Sequence, residues 1–322
     1  MLEIKGLSLA IESKEAAIIA VQDVSLTIAA GRVVGLVGES GCGKTLTAQS
    51  ILRLGEYQGI ERVHGDILWH GESVFDMSDT RLRKMRGGQV AMIFQEPMTA
   101  LNPVFSIGSQ MLEVIRLHLG LSKVKAKEHA IQYLNDVGLD EGEQLLKQYP
   151  DALSGGMRQR VLIAMAMSLH PEYIIADEPT TALDVSVQKR IIALLRKLQQ
   201  EKNLGMLLVT HDFGLVAEMC DDVVVMYAGE MVESGSVLDI FDHPAHPYTQ
   251  ALMGCRPEMV KDGEALTVIE GQVPAPGQWP KGCHFSPRCA RASDACQESP
   301  IAMDAWQHGE HQARCIHVQE QA

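Results

Sequence analysis

The run Val33-Val34-Gly35-Leu36-Val37 leads without a polar break into Gly38-Glu39-Ser40-Gly41-Cys42-Gly43-Lys44-Thr45. A strand with no polar position must be covered on both faces, which is how strands of parallel sheets read. The loop after it fits G-x-x-x-x-G-K-[ST], and Thr45 to Leu54 reads as the helix that follows. In such a loop Gly38, Gly41 and Gly43 let the backbone amides, those of Ser40 and Cys42 included, turn inward around phosphate oxygens. Lys44 brings a mobile cation to the β and γ oxygens, and the Thr45 hydroxyl can ligate Mg²⁺. An ordinary glycine-rich turn is the competing reading, and the strand before it and the helix after it count against that.

The pattern on either side extends this unit into a fold class. Residues 2 to 9 and 21 to 28 alternate apolar and polar positions (Ile4, Leu7, Leu9, then Val24, Leu26, Ile28), as half-buried antiparallel strands do. Val90 to Phe94 is another buried strand, ending at Gln95. From Pro97 to Leu153 the character turns helical, with three and four spacing in Ile107 to His118 and Lys125 to Val137. Strand-like runs return at Tyr173 to Ala176, Met206 to Thr210 and Val223 to Tyr227, alternating with helices over Met157 to Leu169 and Val187 to Glu201. That alternation predicts an α/β fold with a largely parallel sheet. After Phe241 the composition shifts to Pro, His, Gly and Cys. The expected organisation is therefore a core domain over 1–240, with a helical insertion at about 97–155, and an extension over 241–322.

Bulk properties exclude several classes. A chain of 322 residues at 46% hydrophobic composition can bury a full core, so disorder does not dominate. Its formal charge of −13 argues against a nucleic-acid partner and against direct adhesion to anionic lipid. The longest apolar runs, Val161 to Leu169 and Val223 to Ala228, are too short to span a bilayer. The start, MLEIKGLSLAIESKE, lacks the order of a secretory signal. A cytoplasmic protein is expected, with any membrane attachment made through a protein partner.

Two further segments carry chemistry. Leu153-Ser154-Gly155-Gly156-Met157 offers a hydroxyl and two glycine amides suited to a γ-phosphate, on a surface separate from the first loop. Two such subunits would then meet face to face. Tyr173 to Ala176 ends at Asp177 and Glu178, a pair placed to hold Mg²⁺ through its water shell and to polarise an attacking water. Such pairs also serve as plain helix caps. His211 follows the strand Met206 to Thr210, where a side chain can face a nucleotide or simply sit at the surface.

In this order the motifs resemble those of ATP-binding cassette (ABC) ATPases, and the resemblance covers most of the chain. It implies the P-loop NTPase fold of that family, with an antiparallel β subdomain, a helical subdomain carrying the LSGGM signature, and a loop-rich C-terminal extension. It also implies that two subunits sandwich ATP and Mg²⁺, hydrolysis reopening the dimer. Each site would take Lys44, Thr45, Gln95, Asp177, Glu178 and His211 from one chain, and Ser154, Gly155 and Gly156 from the other. By resemblance Glu178 is the catalytic carboxylate, His211 the switch that contacts the γ-phosphate, and Gln95 the loop residue that contacts Mg²⁺ or water. Ala182-Leu183-Asp184 resembles the loop that crosses the dimer interface. One departure is Ile18, at the position where the family usually stacks adenine on an aromatic ring.

The segments Gln95 to Pro103 and His246-Pro247-Tyr248-Thr249-Gln250-Ala251-Leu252 are similar to those of ATPase subunits of dipeptide, oligopeptide and nickel importers. The second also reads as a helix start with Pro247 in its first turn. The resemblance implies a second cassette subunit, identical or homologous, two transmembrane permease subunits and an extracytoplasmic solute-binding protein. It places the chain peripherally on the cytoplasmic face of the bacterial inner membrane. Four of the seven cysteines, Cys283, Cys289, Cys296 and Cys315, crowd the extension. Thiolates in a loop-rich cytosolic segment suit an iron–sulfur cluster or Zn²⁺ better than disulfides. Some members of the dipeptide branch resemble this pattern and carry a [4Fe-4S] cluster; zinc and plain thiols stay open beside it. Rival readings are a nickel or other small-solute importer, a soluble cassette ATPase of DNA repair or translation, and a redox-regulatory or metal-sensing protein.

Overall fold

A computed structural model describes residues 1–13, 16–181, 183–255, 268–306 and 310–318. The chain forms two compact units, one from Met1–Asp76 with Leu208–Ala322 and one from Met77–Leu207.

The first unit opens with β1 (Leu2–Ile11), β2 (Ile18–Ile28), β3 (Val33–Val37), α1 (Lys44–Ser50), β4 (Ile60–Trp69) and β5 (Glu72–Ser73). Four of these make an antiparallel sheet in the order β2-β1-β4-β5. In β2 the alternation is literal: Val24, Leu26 and Ile28 are buried while Ser25 and Thr27 between them are exposed. Pairing Ile4 with Leu26 and with Ile67 sets the same apolar face along three strands, because a slip of one residue would turn it to water. β4 is the element that periodicity misses, since only Ile60, Ile67 and Trp69 of its ten residues are buried.

The second unit runs through α2 (Asp79–Met85), β6 (Val90–Ile93), α3 (Pro97–Ala100), α4 (Ile107–Leu119), α5 (Lys123–Asp136), α6 (Gly142–Leu145), α7 (Gly155–Met167), β7 (Tyr173–Asp177) and α8 (Val185–Lys202). β6 and β7 pair in parallel, Val90 opposite Tyr173 and Ile93 opposite Ala176. Five of its helices, α2, α4, α5, α7 and α8, start on side chains that satisfy one of the first free amides. Ser78, Ser106, Ser122 and Ser154 each accept from the amide three residues on, and so does Asp184. The two long helices read from the sequence are present, each within two residues of its expected limits.

The chain returns through β8 (Gly205–Thr210) and continues as α9 (Phe213–Met219), β9 (Asp222–Tyr227), β10 (Glu230–Ser236), α10 (Val237–Asp242) and α11 (Pro247–Gly254). Beyond it lie α12 (Ala295–Glu298), β11 (Asp304–Ala305) and β12 (Gln312–Ala313). β3, buried at all five residues, pairs in parallel with β9, Val34 opposite Asp222 and Val37 opposite Val225. β9 turns into β10 through Ala228 and Gly229, both at positive φ, the backbone that a two-residue hairpin requires. The extension belongs to this unit's core. Tyr227 of β9 stacks edge-on against Tyr248, at 4.6 Å between centroids, and against Phe285, at 5.1 Å.

Candidate active site

In the first unit the phosphate loop closes on itself. Gly38, Gly41 and Gly43 all hold positive φ, and a Cβ on Gly38 would collide with the Met226 carbonyl, so no other residue fits there. Lys44 is 5% exposed, and its Nζ donates to the carbonyls of Gly38 at 2.8 Å and Glu39 at 2.9 Å. The cation thus sits inside the loop that is to receive phosphate. Cys42 is fully buried, and desolvation raises its thiol pKa more than Lys44 lowers it, so it is no nucleophile. Ser40 is exposed at the loop's rim, and Thr45 is half-buried in the first turn of α1. His211 is exposed immediately after β8, and Asp212 next to it caps α9 through the amides of Gly214 and Leu215.

The extension grips this loop through residues that motif reading did not single out. The Glu39 amide donates to the Tyr248 hydroxyl at 2.8 Å. Arg288 holds the Glu39 carboxylate with both Nη atoms, at 2.7 and 3.1 Å, and also donates to the carbonyls of Glu270 and Ile269 and to the Tyr227 hydroxyl. Burial works against the Arg288 charge, yet the bonds to Glu39 and Tyr227 outweigh it and raise its pKa. Glu39 and Arg288 are 249 residues apart, so no local signal could have joined them.

The second unit supplies carboxylates and the signature. Asp177 ends β7 and is 2% exposed. Glu178 follows at φ 44, an uncommon backbone for a non-glycine residue. Its Oε2 accepts from Gln95 Nε2 and from Thr181 Oγ1, both at 2.9 Å. The structure therefore joins Gln95 and Glu178, two residues that the sequence placed at the ends of separate strands. Ser154 caps α7 by accepting from the Met157 amide, leaving Gly155 and Gly156 in the helix's first turn, where amides and the helix dipole favour an anion. Gly156 lies so close to Val187 that an added Cβ would stand 2.7 Å from its Cγ1. Signature and α8 thus share a corner. Asp184 caps α8; its bond from Ser186, then that from the Val187 amide, hold its pKa below the usual range. Ala182 lies outside the described residues.

Mg²⁺ fits these donors. It binds through one or two carboxylates with substrate phosphates and waters, and each unit offers donors of that kind by itself: the half-buried Thr45 hydroxyl in the first, Gln95 and the buried Asp177 carboxylate in the second. Among the described residues no group of three or more His, Cys, Asp or Glu is arranged to hold a metal ion by itself. Cys283, Cys289, Cys296 and Cys315 nevertheless line one small cavity in the first unit, together with His246 and His317. Backbone amides of Arg291 and Ser293 donate to Cys289 and Cys296. Burial pushes the Cys283 thiol up to about 12, whereas the Ser293 and His317 contacts bring Cys296 below its usual value although desolvation opposes them.

Comparison with known proteins places these features. Residues 21–181 match the model of the ABC transporter family, and residues 232–296 match that of the oligopeptide/dipeptide transporter C-terminal region. A peptide import ATP-binding protein of Brucella abortus is 44% identical, over 99% of this chain and 98% of its own length. A peptide import ATP-binding protein of Brucella melitensis is 45% identical with the same coverage. Among solved structures, a dimeric ATP-binding cassette in a post-hydrolysis state with ADP and Pi is similar at TM-score 0.65 and 28% identity, covering 74% of this chain and 99% of that one. A cassette from Clostridium perfringens, part of an ABC transporter complex, is similar at TM-score 0.63 and 25% identity, covering 75% and 90%.

Proposed function

The chain belongs to the ABC transporter family as an ATP-hydrolysing subunit, and from that membership we propose that it powers the import of dipeptides or oligopeptides. The observation that carries this reading is the presence on one chain of the cassette and of the oligopeptide/dipeptide C-terminal region, built into the same core as the phosphate loop. Membership in this family implies a complex with membrane permease subunits. The finer assembly we propose is a cassette dimer, with itself or a homologue, on the cytoplasmic face of the inner membrane, beneath two permeases fed by an extracytoplasmic binding protein. No helix among the described residues is long and apolar enough to cross a membrane.

In the proposed cycle the loop amides from Ser40 to Thr45 and the Lys44 ammonium bind the phosphates of ATP, and Mg²⁺ would be held by the Thr45 hydroxyl, by Asp177 through the ion's water shell, and by Gln95 directly or through water. When bound, the ion would neutralise phosphate charge. Glu178 polarises the attacking water, its carboxylate aimed by the bonds from Gln95 and Thr181. His211 contacts the γ-phosphate, and Ser154, Gly155 and Gly156 of a second subunit close on it, with Asp184 at the crossing. We further propose that the four cysteines would hold a [4Fe-4S] cluster, with Zn²⁺ as the second reading, although as placed they do not form a ready ligand set. What supports the cluster reading is the shared cavity and the two amide-to-sulfur bonds, a kind of contact that would tune the potential of a thiolate-bound cluster.

Reconstitution with the neighbouring permeases in proteoliposomes tests the function. ATP-dependent uptake of a labelled dipeptide or oligopeptide is expected, and hydrolysis that drives nickel but no peptide would overturn it. Iron and acid-labile sulfide assays on anaerobically purified protein test the cluster. Metal-free protein with all four thiols titratable would end that proposal.

A further inference from the structure

The Gly43 end of the phosphate loop is built from two distant segments. Tyr248 and Arg288 hold the Glu39 end of the loop, so on the ATPase reading a nucleoside would extend past the other end, at Gly43. What stands at that end is the start of β2. A Cβ on Gly43 would lie 3.0 Å from Val21 Cγ2 and 3.2 Å from the Ala20 carbonyl. The same stretch is crossed by the extension: a Cβ on Gly277 would come within 3.2 Å of Ile18 Cγ2.

Two residues on, Trp279 lays the edge of its indole on Gly229, so closely that any side chain there would collide with the ring's Cη2 and Cζ2. Gly229 is tied to the phosphate loop by its amide, which donates to the Cys42 carbonyl at 3.0 Å, and to β2 by its carbonyl, which accepts from the Gln22 amide at 2.7 Å. His284 packs against the indole at 4.8 Å between centroids. Trp279 is half-buried, and its Nε1 has no hydrogen-bond partner, so packing rather than a polar bond sets the ring's position.

We propose that Trp279 supplies the aromatic surface on which the purine of ATP packs, with Ile18 as an aliphatic wall beside it. This rests on the reading of the chain as an ATPase. It makes the extension a part of the nucleotide site, since the ring comes from a segment more than two hundred residues beyond Ile18 in sequence. Stacking on a π-face tolerates any base, so the contribution is to affinity rather than to discrimination between purines.

The test measures equilibrium binding of ATP and of tripolyphosphate, which has no base or ribose, to the full chain and to Trp279→Ala, Trp279→Leu and Trp279→Phe. Loss of base stacking is expected to weaken ATP binding about tenfold in the Ala and Leu variants, with tripolyphosphate unchanged and the Phe variant within about threefold of the parent. Equal ATP affinity in the Leu variant would overturn the proposal. So would an equal loss for both ligands, which would make Trp279 a prop for the Gly229 turn, or tighter ATP binding, which would make it a cover. If Trp279→Ala does not fold, the Leu and Phe pair carries the same decision. A parent protein that binds neither ligand would instead sink the ATPase reading itself, so the two failures are distinct.

Discussion

Arg288→Ala should loosen the extension and weaken nucleotide binding at once, because one guanidinium holds both. Its side chain is 4% exposed and that of Glu39 30%. Removing one partner of a buried pair costs ~3–5 kcal/mol, and the partial exposure of Glu39 lets water recover some of that, leaving about 2–3 kcal/mol. For a unit of this size about 2–4 °C is lost per kcal/mol, so the first melting transition should fall by roughly 5–10 °C. The Glu39 carboxylate would then face bound phosphates without its counter-ion. A unit charge at ~8 Å and an effective dielectric of ~20 repels a phosphate by about 2 kcal/mol, some thirtyfold in Kd. Scanning calorimetry and ATP titration measure the two effects. Glu39→Gln combined with Arg288→Ala should regain ATP affinity to within about threefold without regaining the melting temperature, since the repulsion is gone and the clasp is still broken. An Arg288→Ala protein that melts and binds ATP like the parent would refute the clasp.

Glu178→Gln should keep ATP binding while hydrolysis falls by about 10²-fold or more, read as retained nucleotide on a trapped dimer by gel filtration. Gly38→Ala should abolish ATP binding, because the Cβ meets the Met226 carbonyl; isothermal titration checks it. His246 gives a pH dependence. Its Nδ1 accepts from the Tyr248 amide, and burial lowers its pKa to about 4. The folded state therefore holds fewer protons than the unfolded chain between pH ~6.5 and ~4, so this stability is full above the upper limit and lost as pH falls toward the lower, to about 3 kcal/mol. Denaturant melts across that range, with His246→Asn as the variant that keeps an acceptor and lacks the titration, should show different slopes, the difference between parent and variant being the His246 contribution, since Glu230 and His284 titrate in both proteins.

What the sequence revealed and what it hid follow from how each feature is encoded. Val33–Val37 with the loop after it was legible because a continuous apolar run and three glycines leave few alternatives. The helices α4 and α5 were legible through their spacing, which placed their starts only approximately because the serines that cap them, Ser106 and Ser122, went unread. β4 was not, because its polar residues lie on an open face and break the alternation. In the site, residue types announced Asp177, Glu178 and the signature. The bond between Gln95 and Glu178 depends on the parallel pairing of β6 and β7, which no short window contains. Glu39 was invisible for a different reason: its position in the loop motif accepts any residue, and its partner lies in the extension.

The split of the first unit around the second has a consequence for how the polypeptide is made. The Val33 amide, at the head of the phosphate-loop strand, is completed by the Asp221 carboxylate 188 residues later. At roughly 5–20 residues per second a ribosome needs about 10–40 s to cover that distance. During that interval the five residues of β3 wait for β9, and the whole of Met77 to Leu207 is made before β9 is. The unit that carries the phosphate loop is thus the last to be finished, and a chain halted before the extension lacks the Tyr248 and Arg288 bonds to Glu39.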